Sequence, residues 1–439
     1  MGDPSLLVSD GREHRRNLAL ATWGLFVGLA LIMLAGGLFG TLVGVRSERI
    51  KLPTAVTSLI SASYYVGFLV GSRATLRGLG RVGHIRVYSA LASLLAAAMI
   101  GAGITQSPVA WGLLRLVTGL CTAGLYVIAE SWLNDLATNS NRGRLLAVYG
   151  VVTVAFFGIG QAAIVAFNSQ VVTGFAVAAI LTSVAVAPVA LSEAAVAPGL
   201  EHKQNVTLRE LAKMVPTGVF SALLVGMAHG AIAGMAAVYA TRAGLSRRDI
   251  GLFVALPSLG GMVLQWPISA ASDEVDRRFV GLATAFAAAG VAALLLLTPS
   301  DSLMGFVLIA LLGGLSYPLY SIAGAYTNDW VPPANLNAAA SQLVTLYGMG
   351  AVVGPFVVAG AMITIGPHGF FWALIALHSV IAAFFCYRLF AWRMPLVTRP
   401  WSQVSLPARA FFVPATIIAF GVRRGRKLVH PQKPRNPLS

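Results

Sequence analysis

Long apolar stretches alternate with short polar breaks along the whole chain. Each stretch holds about 20 residues, enough as a helix to cross a hydrocarbon core of roughly 30 Å. Reading the stretches between charged or Pro/Gly-marked breaks predicts twelve spans. They fall near 18–43, 53–72, 84–105, 109–133, 143–167, 171–191, 217–241, 250–271, 279–298, 302–327, 336–363 and 369–391. Runs such as SALLVGMAHGAIAGMAAVYA (221–240) show no period-two alternation, which argues against a membrane β-barrel. The expected fold class is an all-α polytopic membrane protein.

The longest polar connector, SEAAVAPGLEHKQNVTLREL (192–211), divides the spans six and six. The expected organisation is therefore an N-terminal segment (1–17), a first six-helix bundle (18–191), a connector (192–216), a second bundle (217–394) and a basic tail (395–439). Within the connector, Thr207 followed three positions later by Glu210 matches a helix-starting capping box and predicts a short surface helix. The halves also echo each other. YVIAESWLND (126–135) returns as YSIAGAYTND (320–329), and each phrase precedes a helix with a tyrosine-glycine, VYG at 148–150 and LYG at 346–348. A six-helix unit used twice in the same orientation places a substrate site between the halves, near the bilayer midplane.

Composition agrees with the pattern. Of 439 residues 57% are hydrophobic and 10% charged, against about 25% charged in soluble domains. The net charge of +16 comes from bases scattered through loops and tails. Without a basic stripe interleaved with aromatics, anionic lipid fits this excess better than nucleic acid. With the N-terminus inside, the inner segments hold 24 Lys and Arg and the outer loops 6. That bias predicts a multi-pass protein of the cell inner membrane with both termini cytoplasmic. The first apolar run lacks a small-residue cleavage signature and is too long for a signal peptide, so it is expected to be a retained span. Cys121 and Cys386 have neither zinc nor redox spacing. No glycine-rich stretch continues into Gly-Lys-Ser/Thr, so no nucleotide hydrolysis, cofactor or metal is expected. In the tail, ARAFFVPATIIAFGV and then RRGRK (423–427) suggest a membrane-surface segment that seeks anionic lipid.

Two ionisable side chains stand out inside spans. Arg115 lies in the outer half of the fourth span, where a charge is costly and faces the bundle interior by default, unless it snorkels to the outer headgroups. His229 is central in the seventh span. It is a candidate proton carrier or substrate donor, or else a hydrogen-bonded packing residue. Glu130 lies fifteen residues beyond Arg115 on the same helix, a rise of about 22 Å that excludes a direct pair. No Asp or Glu sits mid-membrane.

Several motifs carry a family resemblance over residues 15–394. GLGRVGHIR (78–86) and SDEVDRR (272–278) resemble the second-to-third-helix loop signature of the major facilitator superfamily, through Arg81, Gly83 and Arg86 and through Asp273, Arg277 and Arg278. Gly80 replaces the aspartate in the first copy, and Asp276 the glycine in the second. RLVTG (Arg115 to Gly119) is similar to the family's intramembrane Arg-x-x-x-Gly motif. Tyr126, Glu130 and Arg142-Gly143-Arg144 resemble its gate series. The antiporter signature of the fifth helix is degraded to FFGIGQ, with Gln161 in place of proline.

The resemblance implies a secondary transporter of twelve helices in two bundles, working by alternating access. It ties Arg115 to coupling and implies a gate pair among Glu130, Arg142 and Arg144, with Arg81, Asp273 and Arg277 at the gate loops. It also places Trp23, Thr118, Thr122, Tyr239, Tyr317 and Tyr320 on cavity helices, with Gln161 and Gln265 beside them, while His378 falls on a peripheral helix. The expected partner is a small-molecule substrate, with protons as the candidate coupling ion, handled by a monomer. Proton-coupled efflux of a drug-like compound or metabolite is the first expectation and sugar or organic-acid uptake the second. A receptor or lipid scramblase on the same fold is the third.

Overall fold

The computed structural model describes residues 4–136, 142–167, 171–192, 207–332 and 335–391. The first bundle is built from α1 (Pro4–Arg49), α2 (Thr54–Val82), α3 (His84–Ile104), α4 (Pro108–Leu136), α5 (Arg142–Ala162) and α6 (Val171–Val184). A 3-10 turn (Ala163–Ala166) extends α5, and α7 (Val186–Ala190) completes the sixth span. The connector carries α8 (Leu208–Met214). The second bundle holds α9 (Pro216–Arg242), α10 (Arg247–Glu274), α11 (Arg277–Leu297), α12 (Leu303–Ser316), α13 (Pro318–Trp330), α14 (Leu336–Ile365) and α15 (Gly369–Ala391). Twelve of the described helical stretches are long and apolar enough to cross a membrane, and among the described residues there is no strand.

The helix starts follow the sequence. Thr207 Oγ1 accepts from the Glu210 amide at 3.3 Å, and Glu210 Oε2 accepts from the Thr207 amide at 2.8 Å, closing the expected capping box of α8. Ser302 Oγ caps α12 by accepting from Gly305 N at 3.0 Å. Asp276 caps α11 through the Arg278 amide at 2.9 Å.

Three local features go beyond the expected spans. Helix α1 starts at Pro4, so residues 4–17 of the expected N-terminal segment continue the first span as helix. The sixth span breaks at Ala185 and the tenth at Tyr317. Proline explains both breaks: Pro188 and Pro318 lack the N–H that residues 184 and 314 would receive, and each ring crowds that carbonyl. The tail expected as 395–439 lies outside the described residues.

Glycine sets the closest helix contacts. A Cβ on Gly119 of α4 would sit 1.9 Å from the Tyr64 carbonyl oxygen of α2, so these backbones touch without side chains between them. In the second half, a Cβ on Gly313 of α12 would sit 2.2 Å from the Pro257 carbonyl oxygen of α10. Gly119 and Gly313 stand at the same offset as the echoed phrases. One junction is thus used twice, and the chain is two six-helix bundles related by a parallel repeat.

Candidate functional site between the halves

The halves meet where α1 packs on α9, α2 on α14 and α5 on α10. At one end they are clasped. Glu48, closing α1, accepts from Arg242 Nε of α9 at 2.7 Å, and the two side chains are 11% and 26% exposed. Just below, Ser61 Oγ donates to the Gly234 carbonyl at 3.1 Å, and Gly44 lies against Ala237. Arg247 donates to the Phe167 carbonyl across the same end. An open recess of about 600 Å³ lies beside the ion pair, lined among others by Lys51, Thr54 and Ile363. Towards the opposite end Arg73 Nη2 donates to Thr345 Oγ1 at 3.1 Å across the halves, and Gly348 lies against Leu69. There α4 packs chiefly on α2 and α3, and α13 on α9, α11 and α10, each within its own half.

Sequence reasoning missed the Glu48–Arg242 pair, although a signal was present. The two residues are 194 positions apart, the same offset as the echoed phrases. In a two-fold arrangement, residues near the axis meet their own equivalents, so opposite charges at equivalent helix ends point to a contact.

In the first half, the Arg115 guanidinium lies 4.5 Å from the Tyr64 ring centroid and 5.6 Å from that of Phe39. Its Nε is buried without a hydrogen-bond partner among the described residues. Thr118 and Thr122 direct their hydroxyls to the Arg115 and Thr118 carbonyls at 2.9 and 2.8 Å. Aromatic contacts continue from Tyr64 to Phe68 and on to Tyr126.

In the second half, His229 is 2% exposed and bonded at both ring nitrogens. Nε2 lies 2.9 Å from the Ser316 carbonyl, and Nδ1 lies 3.0 Å from the Tyr347 hydroxyl. A carbonyl only accepts, so Nε2 carries a proton, and the neutral ring uses Nδ1 to accept from Tyr347. The Tyr317 ring lies 4.7 Å from the imidazole, and Tyr320 stands edge-on to Tyr347 at 4.9 Å.

His378, expected to be peripheral, belongs to the same network. It is fully buried, with Nε2 2.9 Å from Ser316 Oγ and Nδ1 2.8 Å from the Leu374 carbonyl. Ser316 is shared by both histidines because it sits at the proline break of the tenth span. A polar thread also crosses the halves here: Ser258 Oγ lies 3.4 Å from Gln161 Oε1 and is hydrogen-bonded to Tyr317.

The remaining candidates scatter. Tyr239 is packed inside the second half, stacked on Phe370 at 5.0 Å with its hydroxyl 2.6 Å from Ser300 Oγ. Gln265 bonds Ser269 on its own helix at 2.9 Å. Trp23 is 43% exposed near the start of the apolar stretch of α1.

At the end away from the clasp, Tyr149 donates to Glu130 Oε1 at 3.3 Å. The side chains of Arg81, Arg142 and Arg144 lie outside the described residues. The second half forms a tight ion cluster. Arg277, 1% exposed, bonds Asp329 through Nε at 2.8 Å, and through Nη1 it bonds Asp273 at 2.9 Å and Ser272 at 3.0 Å. Asp329 closes the echoed phrase of the second half. Where the first copy has Glu130, the second has Gly324, and this second-half cluster ties α10, α11 and α13 together. Beside it, partial burial of the Asp276 carboxyl raises its pKa, but hydrogen bonds from Arg278 outweigh that and hold it below its usual range.

Comparison with known proteins places the chain. A model described as Major Facilitator Superfamily matches residues 217–430. An uncharacterized MFS-type transporter of Enterobacter sp. (strain 638) is 29% identical over 340 residues, covering 75% of this chain and 86% of the relative. The uncharacterized MFS-type transporter YcaD of Salmonella typhimurium is 28% identical over 337 residues, with the same coverage. Among solved structures, the nucleoside transporter NupG superposes with a TM-score of 0.71 at 13% identity, covering 85% of this chain and all of that one. A bacterial homolog of the human lysosomal transporter Spinster, inward-facing and unoccupied, gives 0.66 at 16% identity, covering 86% of this chain and 99% of that one. These two likenesses concern the fold. Family model, relatives and fold agree that this chain is similar to multi-pass membrane transporters of the Major Facilitator Superfamily.

Proposed function

We propose that the chain is a secondary active transporter that opens one central site to the two faces of the membrane in turn. The observation that carries this reading is the clasp. Glu48 and Arg242 join equivalent ends of the two halves by a breakable ion pair, while α4 and α13 pack chiefly within their own halves at the other end. Because the Lys and Arg bias puts both termini in the cytoplasm, the clasped end is the outer face, and this form opens inward.

Proton movement on His229 supplies the coupling. Its two bonds also suit imidazolium, because the Tyr347 hydroxyl can turn from donor to acceptor. A change of hydrogen-bond direction at the junction of α9, α12 and α14 biases how those helices pack. The solute occupies the space between the halves, where Tyr64, Tyr126, Tyr317 and Tyr320 offer aromatic surface and few charges.

A reversible lock tests the reading. Glu48→Cys with Arg242→Cys, in a background where Cys121 and Cys386 are Ala, is reconstituted and screened for solute accumulation driven by an imposed pH gradient. Oxidation is expected to stop transport and reduction to restore it. Transport that continues with the disulfide formed would sink alternating access at this clasp. The sign of the gradient that drives accumulation reads the direction.

A further inference from the structure

We propose that Arg115 receives a negatively charged group of the transported solute, and that the solute is a compact organic anion with an apolar body. This rests on the transport reading above and names its substrate class.

The guanidinium lies over two aromatic rings, and its Nε is unsatisfied among the described residues. Tyr64 and Phe39 lie against it, and ring faces attract the cation without accepting its in-plane N–H groups. Nε is closed off with no acceptor. The neighbouring hydroxyls of Thr118 and Thr122 are already directed to backbone carbonyls. Among the described residues no carboxylate pairs with Arg115. Glu130, on the same helix, lies a rise of about 22 Å away and accepts from Tyr149. A cation left this way in a low-dielectric bundle is costly. An arriving carboxylate or similar oxyanion supplies the missing acceptors, in the side-on, two-bond geometry that a guanidinium favours.

The position fits a solute path as well. Arg115, Thr122 and Tyr126 are spaced i, i+7 and i+11, so they share one face of α4, and all three are partly exposed. Leu113, on the opposite face, is 62% exposed. That separates a lipid-facing side from the Arg115 side, and the outer-headgroup reading of Arg115 does not account for the alignment with Tyr126. Tyr64, Phe68 and Tyr126 run away from the charge as an aromatic wall, a surface for an apolar body.

The test uses the purified full chain in detergent and three probes of one shape: benzoate, benzamide and benzylamine, at constant ionic strength and pH. Benzoate is expected to give a saturable rise in the thermal unfolding midpoint, which the other two do not reproduce and which Arg115→Gln abolishes. Arg115→Lys keeps the charge without the fork and should need at least about tenfold more benzoate for half-saturation; it carries the test if Arg115→Gln does not fold. No benzoate shift in the unsubstituted protein, an equal shift with benzamide, or an undiminished response in the variants overturns the proposal. Transport that persists after such a result keeps alternating access, for a neutral or cationic solute. Benzoate binding in a chain that transports nothing removes the transport reading and keeps the anion receptor.

Discussion

Replacing Glu48 by Gln tests the clasp most directly. Glutamine keeps an oxygen that can accept from Arg242 Nε, so the perturbation removes the charge and leaves the shape. The pair is 11% and 26% exposed at 2.7 Å, between a surface pair worth about 0.2–1 kcal/mol and a charge-assisted hydrogen bond worth about 1.5–3 kcal/mol. Losing the charge should therefore cost the clasped state about 1 kcal/mol, roughly fivefold in the equilibrium between open and clasped forms. Glu48→Lys sets two cations against each other and should shift it further. The readout is maleimide labelling of Ser58→Cys in a background with Cys121 and Cys386 replaced by Ala. Ser58 is fully buried one turn from Ser61 on the same helix, so it reacts when the clasped end opens. Labelling should rise about fivefold in Glu48→Gln and return to near the starting rate in the swapped pair Glu48→Arg with Arg242→Glu. Unchanged labelling in Glu48→Gln, or a swap that fails to restore it, would refute the clasp.

Other perturbations probe separate parts of the fold. Asp329→Asn strips the more buried of two carboxylates from a cation that is 1% exposed and should destabilise by about 1.5–3 kcal/mol; Asp273→Asn, whose carboxylate is 27% exposed, should cost under about 1 kcal/mol. Equal losses of unfolding midpoint would contradict the assignment of Asp329 as the buried partner. Gly119→Ala drives a Cβ to 1.9 Å from the Tyr64 carbonyl and should cost about 1–3 kcal/mol, whereas Gly112→Ala, with 3.7 Å to Ser63 Oγ, should melt close to the unsubstituted protein. His229→Gln is expected to keep solute binding and lose pH-dependent accumulation; a wild-type pH profile would leave His229 as a packing residue. The Thr207 backbone hydrogen bond, then the Thr207 hydroxyl, hold the Glu210 carboxyl below its usual range. A depressed folded value means the cap contributes fully above the unfolded value and fades as pH falls through the folded one. Amide-exchange protection over 208–214, corrected for the intrinsic rate at each pH, should fall at acid pH, and protection that does not change with pH would contradict the cap.

The sequence alone determined the membrane class, the twelve spans, the division into halves and the α8 capping box, because each rests on composition or on neighbours within a few residues. Hydrocarbon forces backbone hydrogen bonds inside each span, so length and apolarity suffice to find a helix. The repeat was legible too, since one folding unit written twice leaves its echo in the letters, and with it the offset that pairs Glu48 with Arg242. The tertiary structure decided which side chains meet. Tyr239, placed by its helix near the cavity, turns into an aromatic stack with Phe370 inside the second half. His378, on a helix expected to be peripheral, reaches Ser316 and so joins His229, because Pro318 breaks the tenth span between two histidines distant in sequence. Asp329 finds its cation 52 positions away. A span's hydrophobicity says that it crosses the membrane; the rotation of the helix about its own axis, set by glycine-mediated contacts with neighbouring backbones, says what each residue faces.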